Sequence, residues 1–438
     1  MVANIIISLF IFIITNKLFY NFYYLYITKK FISEERNYIV NRNVSFLIII
    51  PVLREQNIIE STLNYFNKLD LSNIDLHVCI AGTSREKNEN NKCYISTGKI
   101  VNKWIIKEKV NFRKNIHFSY VEISETNGDR ATQLNYAVKQ CRQYFEPELV
   151  GVYDADSLPD LKTLEEVAAE YCRKPNTVFQ QPVHFISAAN RMAQKNKNPI
   201  LVANALYQTT WTAIRELPRW KKHSEFCEKN NNRLYYKNDY LIGHGEFIPY
   251  KLYNSFIFPE KEVTDGIQLG YRLSMSGYSI KPIHKFCVDD VPQEISQLIK
   301  QHKRWFGGCN RLYNSYKWCK KNFNRASLFQ MLDGFWSQIS WAYASLFAIV
   351  VLILSIAKAF SNSWWFLPIV LTEIIIYSYV IPLIANFIIP KKIRIRIIDW
   401  LCLPIAIALK GIGPNVYLIQ KFYSLILKNE ITYSKVER

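Results

Sequence analysis

Two aspartates one residue apart, Asp154 and Asp156, directly follow the apolar run Leu149-Val-Gly-Val-Tyr153. Carboxylates so spaced can hold a hard divalent cation against a diphosphate. A bare D-x-D is also a common acidic surface turn, and its place at the end of a strand is what favours the metal reading, because ligands of α/β sheets collect at the strand carboxyl ends. Further along, Lys261-Glu-Val-Thr-Asp265-Gly puts a carboxylate at the head of a segment with Ile267, Leu269, Tyr271 and Leu273 behind it. A carboxylate there can cap a helix, can accept a proton, or can do both. Gln301-His-Lys-Arg304-Trp305 then supplies a planar hydrogen-bonder, a guanidinium suited to phosphates and a large aromatic face within five residues. Taken alone, it is equally a solvated basic helix or a membrane-surface segment.

The elements that would position these groups follow an alternating grammar. Ser45-Phe-Leu-Ile-Ile-Ile-Pro-Val-Leu53 is an isoleucine-rich run of the kind buried on both faces, and Ile58, Ile59, Leu63 and Phe66 follow at helical spacing. A second strand is expected at Leu76 to Ala81, a helix at Ala131 to Cys141 and another strand at Leu149 to Tyr153. Strands alternating with helices predict an α/β fold with a mostly parallel sheet.

Membrane segments flank this domain. Met1 to Asn16 carries no charge, and after Lys17 the apolar and aromatic residues resume from Leu18 to Ile27, ending at Lys29 and Lys30. With no small-residue cleavage site after it, the stretch reads as an uncleaved anchor (1–30), and Lys29, Lys30 and Arg36 put the downstream side in the cytoplasm. Gly334 to Ile356 is 23 residues without a charge, and Trp364 to Ile389 is 26 residues with only Glu373, so each can cross roughly 30 Å of hydrocarbon. They predict a transmembrane hairpin (334–389), returned to the cytoplasmic face by Lys391, Lys392, Arg394 and Arg396. Ile397 to Ile419 contains Asp399, Lys410, Pro404 and Pro414 and reads as interfacial or re-entrant, within a basic C-terminal segment (390–438). The soluble domain is expected at 44–310, with an interfacial helix at 311–333.

Composition narrows the class. With 49% hydrophobic residues and a net charge of +19, the 438-residue chain is neither disordered nor a small disulfide scaffold. Its nine cysteines include no C-x-x-C pair and read as reduced cytosolic thiols. No zinc finger, RRM signature or basic-region helix accompanies the charge, so no nucleic-acid partner is expected. An anionic leaflet or a nucleotide diphosphate accounts for it.

In their order along the chain, these motifs resemble those of the membrane-integrated inverting glycosyltransferases of family 2, the group of cellulose, chitin and hyaluronan synthases. The opening strand with Pro51 and Glu55, the D-x-D at Asp154 and Asp156, a T-E-D-like motif at Thr264-Asp265, and Q-x-x-R-W at Gln301, Arg304 and Trp305 carry the resemblance. Softer matches lie between them: Asp129 to Asn135 is similar to K-A-x-x-L-N, Val178-Phe-Gln-Gln-Pro182 to V-Q-T-P, Gly243-His-Gly-Glu-Phe247 to an acceptor-facing G-x-x loop, and Tyr433 to Arg438 to a W-x-K-T-x-R ending. Two departures stand out. Cys79-Ile-Ala-Gly82-Thr-Ser lacks the carboxylate with which members contact the nucleobase, and Thr264 stands where Glu is usual.

The resemblance implies a GT-A-like fold with α-helical transmembrane segments, a nucleotide sugar donor expected to be UDP-linked, and Mg²⁺ or Mn²⁺ on Asp156 and Asp154. It implies Asp265 as the base that deprotonates the acceptor hydroxyl during inversion. Pro51, Glu55, Arg130, Gln301 and Arg304 would contact the donor, and Trp305, Gln181, Gly243 and His244 the acceptor. A processive exopolysaccharide or capsule synthase in a bacterial plasma membrane is the expected function, its catalytic domain cytoplasmic. One anchor and one hairpin leave few helices to line a pore, so a homo-oligomer or partner subunit would complete a channel. The alternatives are transfer of one sugar to a lipid or lipid-linked acceptor, a glycoside hydrolase using two carboxylates, and a non-catalytic membrane scaffold.

Overall fold

The structure is a computed structural model that describes residues 2–34, 38–88, 95–124, 129–230, 234–235, 237–361 and 363–427. Arg36, Cys93 and the motif-like ending Tyr433 to Arg438 lie outside the described residues. The strands are β1 (Val44–Pro51), β2 (Ile74–Thr83), β3 (Ile116–Ile123), β4 (Leu149–Val152), β5 (Val178–Gln180), β6 (Val183–His184), β7 (Glu246–Pro249), β8 (Ile280–Pro282) and β9 (Cys287–Val288). Seven of them form one sheet in the order β3-β2-β1-β4-β7-β5-β8, with β6 and β9 paired separately. The pairs β3/β2, β2/β1, β1/β4 and β5/β8 are parallel, while β7 runs against both β4 and β5. The expected α/β class and mostly parallel sheet are therefore present.

β1 explains why its sequence is a continuous apolar run. Phe46, Ile48 and Ile50 pack into the core on one face, with Leu63, Phe66 and Trp104. Leu47 and Ile49 pack into the core on the other, with Leu134, Ala137 and Trp220. A central strand with both faces covered has no polar side to alternate with.

Three helices among the described residues are long and apolar enough to cross a membrane: Val2–Ser33, Leu328–Ala359 and Phe366–Ile388. The second starts at Leu328, earlier than its uncharged stretch suggests. The helix before it, Leu312–Phe323, stops at left-handed Asn324, and Ser327 then caps the long helix by accepting from the Gln330 amide at 3.5 Å. The third is interrupted by a π-helical turn, Ile376–Val380, just before Pro382. The weaker C-terminal stretch breaks into Ile397–Leu401, Leu403–Leu409 and Ile412–Leu427, with Pro404 and Pro414 each in the first turn of its helix.

Candidate active site

The site lies at the carboxyl end of the sheet. Pro51 ends β1, Asp154 and Asp156 follow β4, and Arg130 opens the helix Arg130–Cys141 after β3. That helix starts where it does because Asp129 caps it, accepting from the Thr132 amide at 2.8 Å. Arg130 then spans three partners. It donates from Nη1 to Asp265 Oδ2 at 2.5 Å, and from Nη2 to Asp154 Oδ1 at 2.9 Å and to the Gly243 carbonyl at 2.5 Å. A charge-assisted fork of this kind fixes both carboxylates relative to each other.

Asp265 is the first residue of the helix Asp265–Met275 and is 8% exposed. Its helix is pressed against the loop before β7: a Cβ on Gly266 would lie 2.4 Å from the Gly243 Cα and 2.6 Å from its amide nitrogen. Gly243 itself has φ +93, a backbone that L side chains rarely adopt. Glycine at both positions is what lets the carboxylate reach Arg130.

The same loop leads to Glu246, which the sequence reading did not assign to the site. It opens β7, opposite Val152 of β4, and is fully buried. Its carboxyl oxygens accept no side-chain hydrogen bond. Burial, reinforced by Asp265 nearby, pushes its carboxyl up to about 8, so it holds a proton at neutral pH. A glutamate in an otherwise apolar strand was the available signal. His244 lies within 3.3 Å of Asp289, whose carboxylate also accepts from Ser157 Oγ at 3.1 Å.

A cavity of about 1790 Å³ joins these groups. Of the residues singled out in the sequence, Pro51, Glu55, Arg130, Asp154, Asp156, Gly243, His244, Asp265, Arg304 and Trp305 all line it. Gln181 and Gln301 do not. Gln181 is fully buried, accepting from the Tyr153 hydroxyl at 2.5 Å and donating to Thr163 at 2.9 Å, so it supports the strand rather than facing the cavity. Gln301 lies on the inward face of the helix Ile295–Cys309, 3% exposed. Its neighbour His302, unassigned in the sequence, borders the cavity instead and is kept neutral by burial, down to about 3. Where the nucleobase-contacting carboxylate is missing, Thr83 and Arg85 border the cavity.

Among the described residues, no group of three or more His, Cys, Asp or Glu side chains forms a closed metal cage. The donor set at Asp154 and Asp156 instead fits a hard cation bound by one or two carboxylates and completed by substrate phosphates.

A mostly parallel α/β sheet with convergent acidic groups at its carboxyl end, joined by one cavity to three helices long and apolar enough to cross a membrane, has the architecture of nucleotide-binding folds. The sequence profile of glycosyl transferase family group 2 matches residues 149–381, more than half of the chain, and the protein belongs to that family. No curated protein matches the chain. Among solved structures, the mannosyltransferase PcManGT from Pyrobaculum calidifontis, in complex with GDP-Man and Mn²⁺, is similar at 14% identity and a TM-score of 0.53, over 92% of this chain and 98% of its own. The S. aureus TarS 1–349 structure aligns at 13% identity and a TM-score of 0.39, over 89% of this chain and 94% of its own. The likeness to PcManGT establishes a GT-A-like fold.

Proposed function

We propose that the protein is an inverting glycosyltransferase that moves a sugar from a nucleotide diphosphate sugar to an acceptor hydroxyl presented from the membrane side of the cavity. The observation that carries this reading is the Arg130 fork, which holds Asp265 and Asp154 together in the cavity at the sheet's carboxyl end. Asp265 accepts the proton from the acceptor hydroxyl as that oxygen attacks the anomeric carbon from the face opposite the leaving diphosphate. Arg304 faces the cavity as a cation for the diphosphate, and Trp305 offers a ring face for the acceptor sugar. Asp156, with Asp154, would hold a divalent ion, which when bound supplies Lewis-acid stabilisation of the leaving group. The similar fold in which PcManGT holds GDP-Man and Mn²⁺ supports a nucleoside diphosphate donor and such an ion.

The basic residues Lys29, Lys30 and Lys391 to Arg396 favour a cytoplasmic catalytic domain on a bacterial plasma membrane, where a UDP-sugar is the expected donor class. Extension of a polysaccharide is one reading of the acceptor, and transfer of one sugar to a lipid or lipid-linked acceptor is the other. The test is Asp265→Asn in the full-length protein, which keeps the shape and hydrogen-bonding ability at the helix head. Nucleoside diphosphate binding should persist while turnover falls roughly a hundredfold or more. Turnover within a few-fold of wild type would remove Asp265 from the role of base.

A further inference from the structure

The cavity does not stop at the sheet. It continues between the three membrane-length helices, where Phe10, Ile14, Phe347, Ala348, Leu352 and Ile374 form its far wall. Beyond them the fully buried cluster of Ile7, Val351 and Val370 closes the space. These six side chains give sugar hydroxyls no hydrogen-bond partners, Glu373 being the polar group beside them, and leaving hydroxyls dry and unpaired costs several kcal/mol each on transfer scales. A hydrocarbon chain loses nothing there. Asp333 and Leu352, both on the cavity wall, lie 19 residues apart on one helix. At about 1.5 Å per residue, that is roughly the thickness of a bilayer core.

Among the residues that line the same cavity are three cations. Lys17 interrupts the first span and sits 5.2 Å from the Tyr377 ring centre. Lys410 lies 3.5 Å from the ring centre of Trp211, with Tyr207 at 5.0 Å and Trp341 at 5.7 Å. Arg215 donates to Ser337 Oγ at 2.7 Å. None of the three forms an ion pair with a described carboxylate, whereas their neighbour Arg219 is paired with Asp239 and Asp333. Of the nearby carboxylates, Glu216 accepts from the Tyr240 and Thr212 hydroxyls and attracts Lys410 and Arg215 without forming an ion pair, and Glu373 accepts from Thr15. Burial and the adjacent Lys17 push the Lys410 ammonium down to about 7, against the opposing attraction of Glu216.

The backbone is irregular at this level, on both sides of the cavity. One π-helical turn, Thr212–Glu216, places Arg215, and the other, Ile376–Val380, places Tyr377. π-turns cost regular hydrogen bonding and concentrate at functional sites, as do ionisable residues within spans. From these cations a line of rings leads back to the catalytic end. Lys410 is 5.7 Å from Trp341, Trp341 is 6.2 Å from His302, and His302 is 5.7 Å from Trp305.

Building on the proposed sugar transfer, we propose that the acceptor is a lipid-linked saccharide. Its hydrocarbon lies along the Phe10 and Leu352 wall, its phosphate is held by Lys17, Lys410 and Arg215, and its sugar end rests on Trp305 below Asp265. The apolar far wall, the cations among their rings, and Trp305 with Asp265 follow the order of tail, phosphate and sugar in such a molecule, with Glu216, Asp333 and Glu373 also lining the cavity. A polysaccharide would need neither the apolar far end nor an anion site.

The test is titration of the full-length protein, in neutral detergent, with a long-chain alkyl phosphate, the matched alkyl alcohol and inorganic phosphate, alongside a nucleoside diphosphate. The alkyl phosphate should bind, and Lys17→Gln and Lys410→Gln should each weaken it roughly tenfold, the size of a lost charge-assisted hydrogen bond. Lys410→Arg should restore binding, which a purely structural role in the aromatic nest would not do, and each variant's melting temperature separates misfolding from lost contact. Equal affinity for the alcohol, or unchanged affinity in both Gln variants, would overturn the proposal. Competition by inorganic phosphate at equal concentration would exclude the lipid tail as part of the ligand. If the Gln variants weakened the nucleoside diphosphate as much as the alkyl phosphate, the cations would belong to the donor site and the proposal would fall. Failure of wild type to bind the nucleoside diphosphate at all would count against the transferase reading instead.

Discussion

Glu246→Gln should abolish a stability change with pH that wild type displays. The carboxyl is fully buried and its pKa is raised from 4.5 to about 8. Below the ordinary value, both folded and unfolded chains carry the proton and the group has no effect on stability. Between 4.5 and about 8 the unfolded chain has released it while the folded chain retains it, so folding becomes less favourable as pH rises. The slope is at most about 1.4 kcal/mol per pH unit, and above the folded value the penalty is constant. For a domain of this size, that is a few degrees of melting temperature per unit, at roughly 2–4 °C per kcal/mol. The amide is isosteric and does not titrate, so the readout is wild type minus variant in melting temperature, scanned in detergent from acidic to mildly alkaline pH. The difference should favour Glu246→Gln increasingly as pH rises and level off on the alkaline side. A difference that stays flat, or that favours wild type at high pH, would refute the buried, proton-bearing carboxyl.

Three further outcomes are expected. Asp156→Ala, or a strong chelator applied to wild type, should abolish transfer, measured as labelled sugar incorporated; full activity in chelator would exclude a metal at Asp154 and Asp156. Gly266→Ala should destabilise the fold by about 1–3 kcal/mol in thermal unfolding, because its Cβ meets the Gly243 backbone at 2.4 Å rather than a side chain that can swing away. In sealed cells, Cys172 and Cys227, both partly exposed, should escape a membrane-impermeant thiol reagent, whereas efficient labelling would reverse the assigned orientation.

The sheet was legible because burial on both faces leaves an unmistakable trace: β1 is a nearly unbroken apolar run, and its flanking helix shows its own period. Asp154, Asp156 and Asp265 were legible because each sits at an element boundary, where an acidic residue interrupts the pattern. Glu246 was not, since a single carboxylate in a short strand can equally point to solvent, and only the pairing of β7 beside β4 places it inside. The C-terminal stretch looked too polar to lie in apolar surroundings, yet its two charged groups are accommodated locally or by rings. Asp399 is bound by Arg396 at 2.6 Å, and Lys410 is nested among rings contributed from far along the chain. The ring partners of Lys410, so distant in sequence, leave no local pattern, and for the same reason the cation cluster was invisible until the helices were placed together.

The central claim is sugar transfer from a nucleotide sugar, and it is tested most directly by incubating purified full-length protein with a panel of radiolabelled nucleotide diphosphate sugars and a membrane lipid extract. The account predicts that at least one donor yields label in a lipid-extractable product, with inverted anomeric configuration, and that Asp265→Asn abolishes it. Absence of incorporation from every donor, in protein that binds nucleoside diphosphate and divalent metal normally, would contradict it.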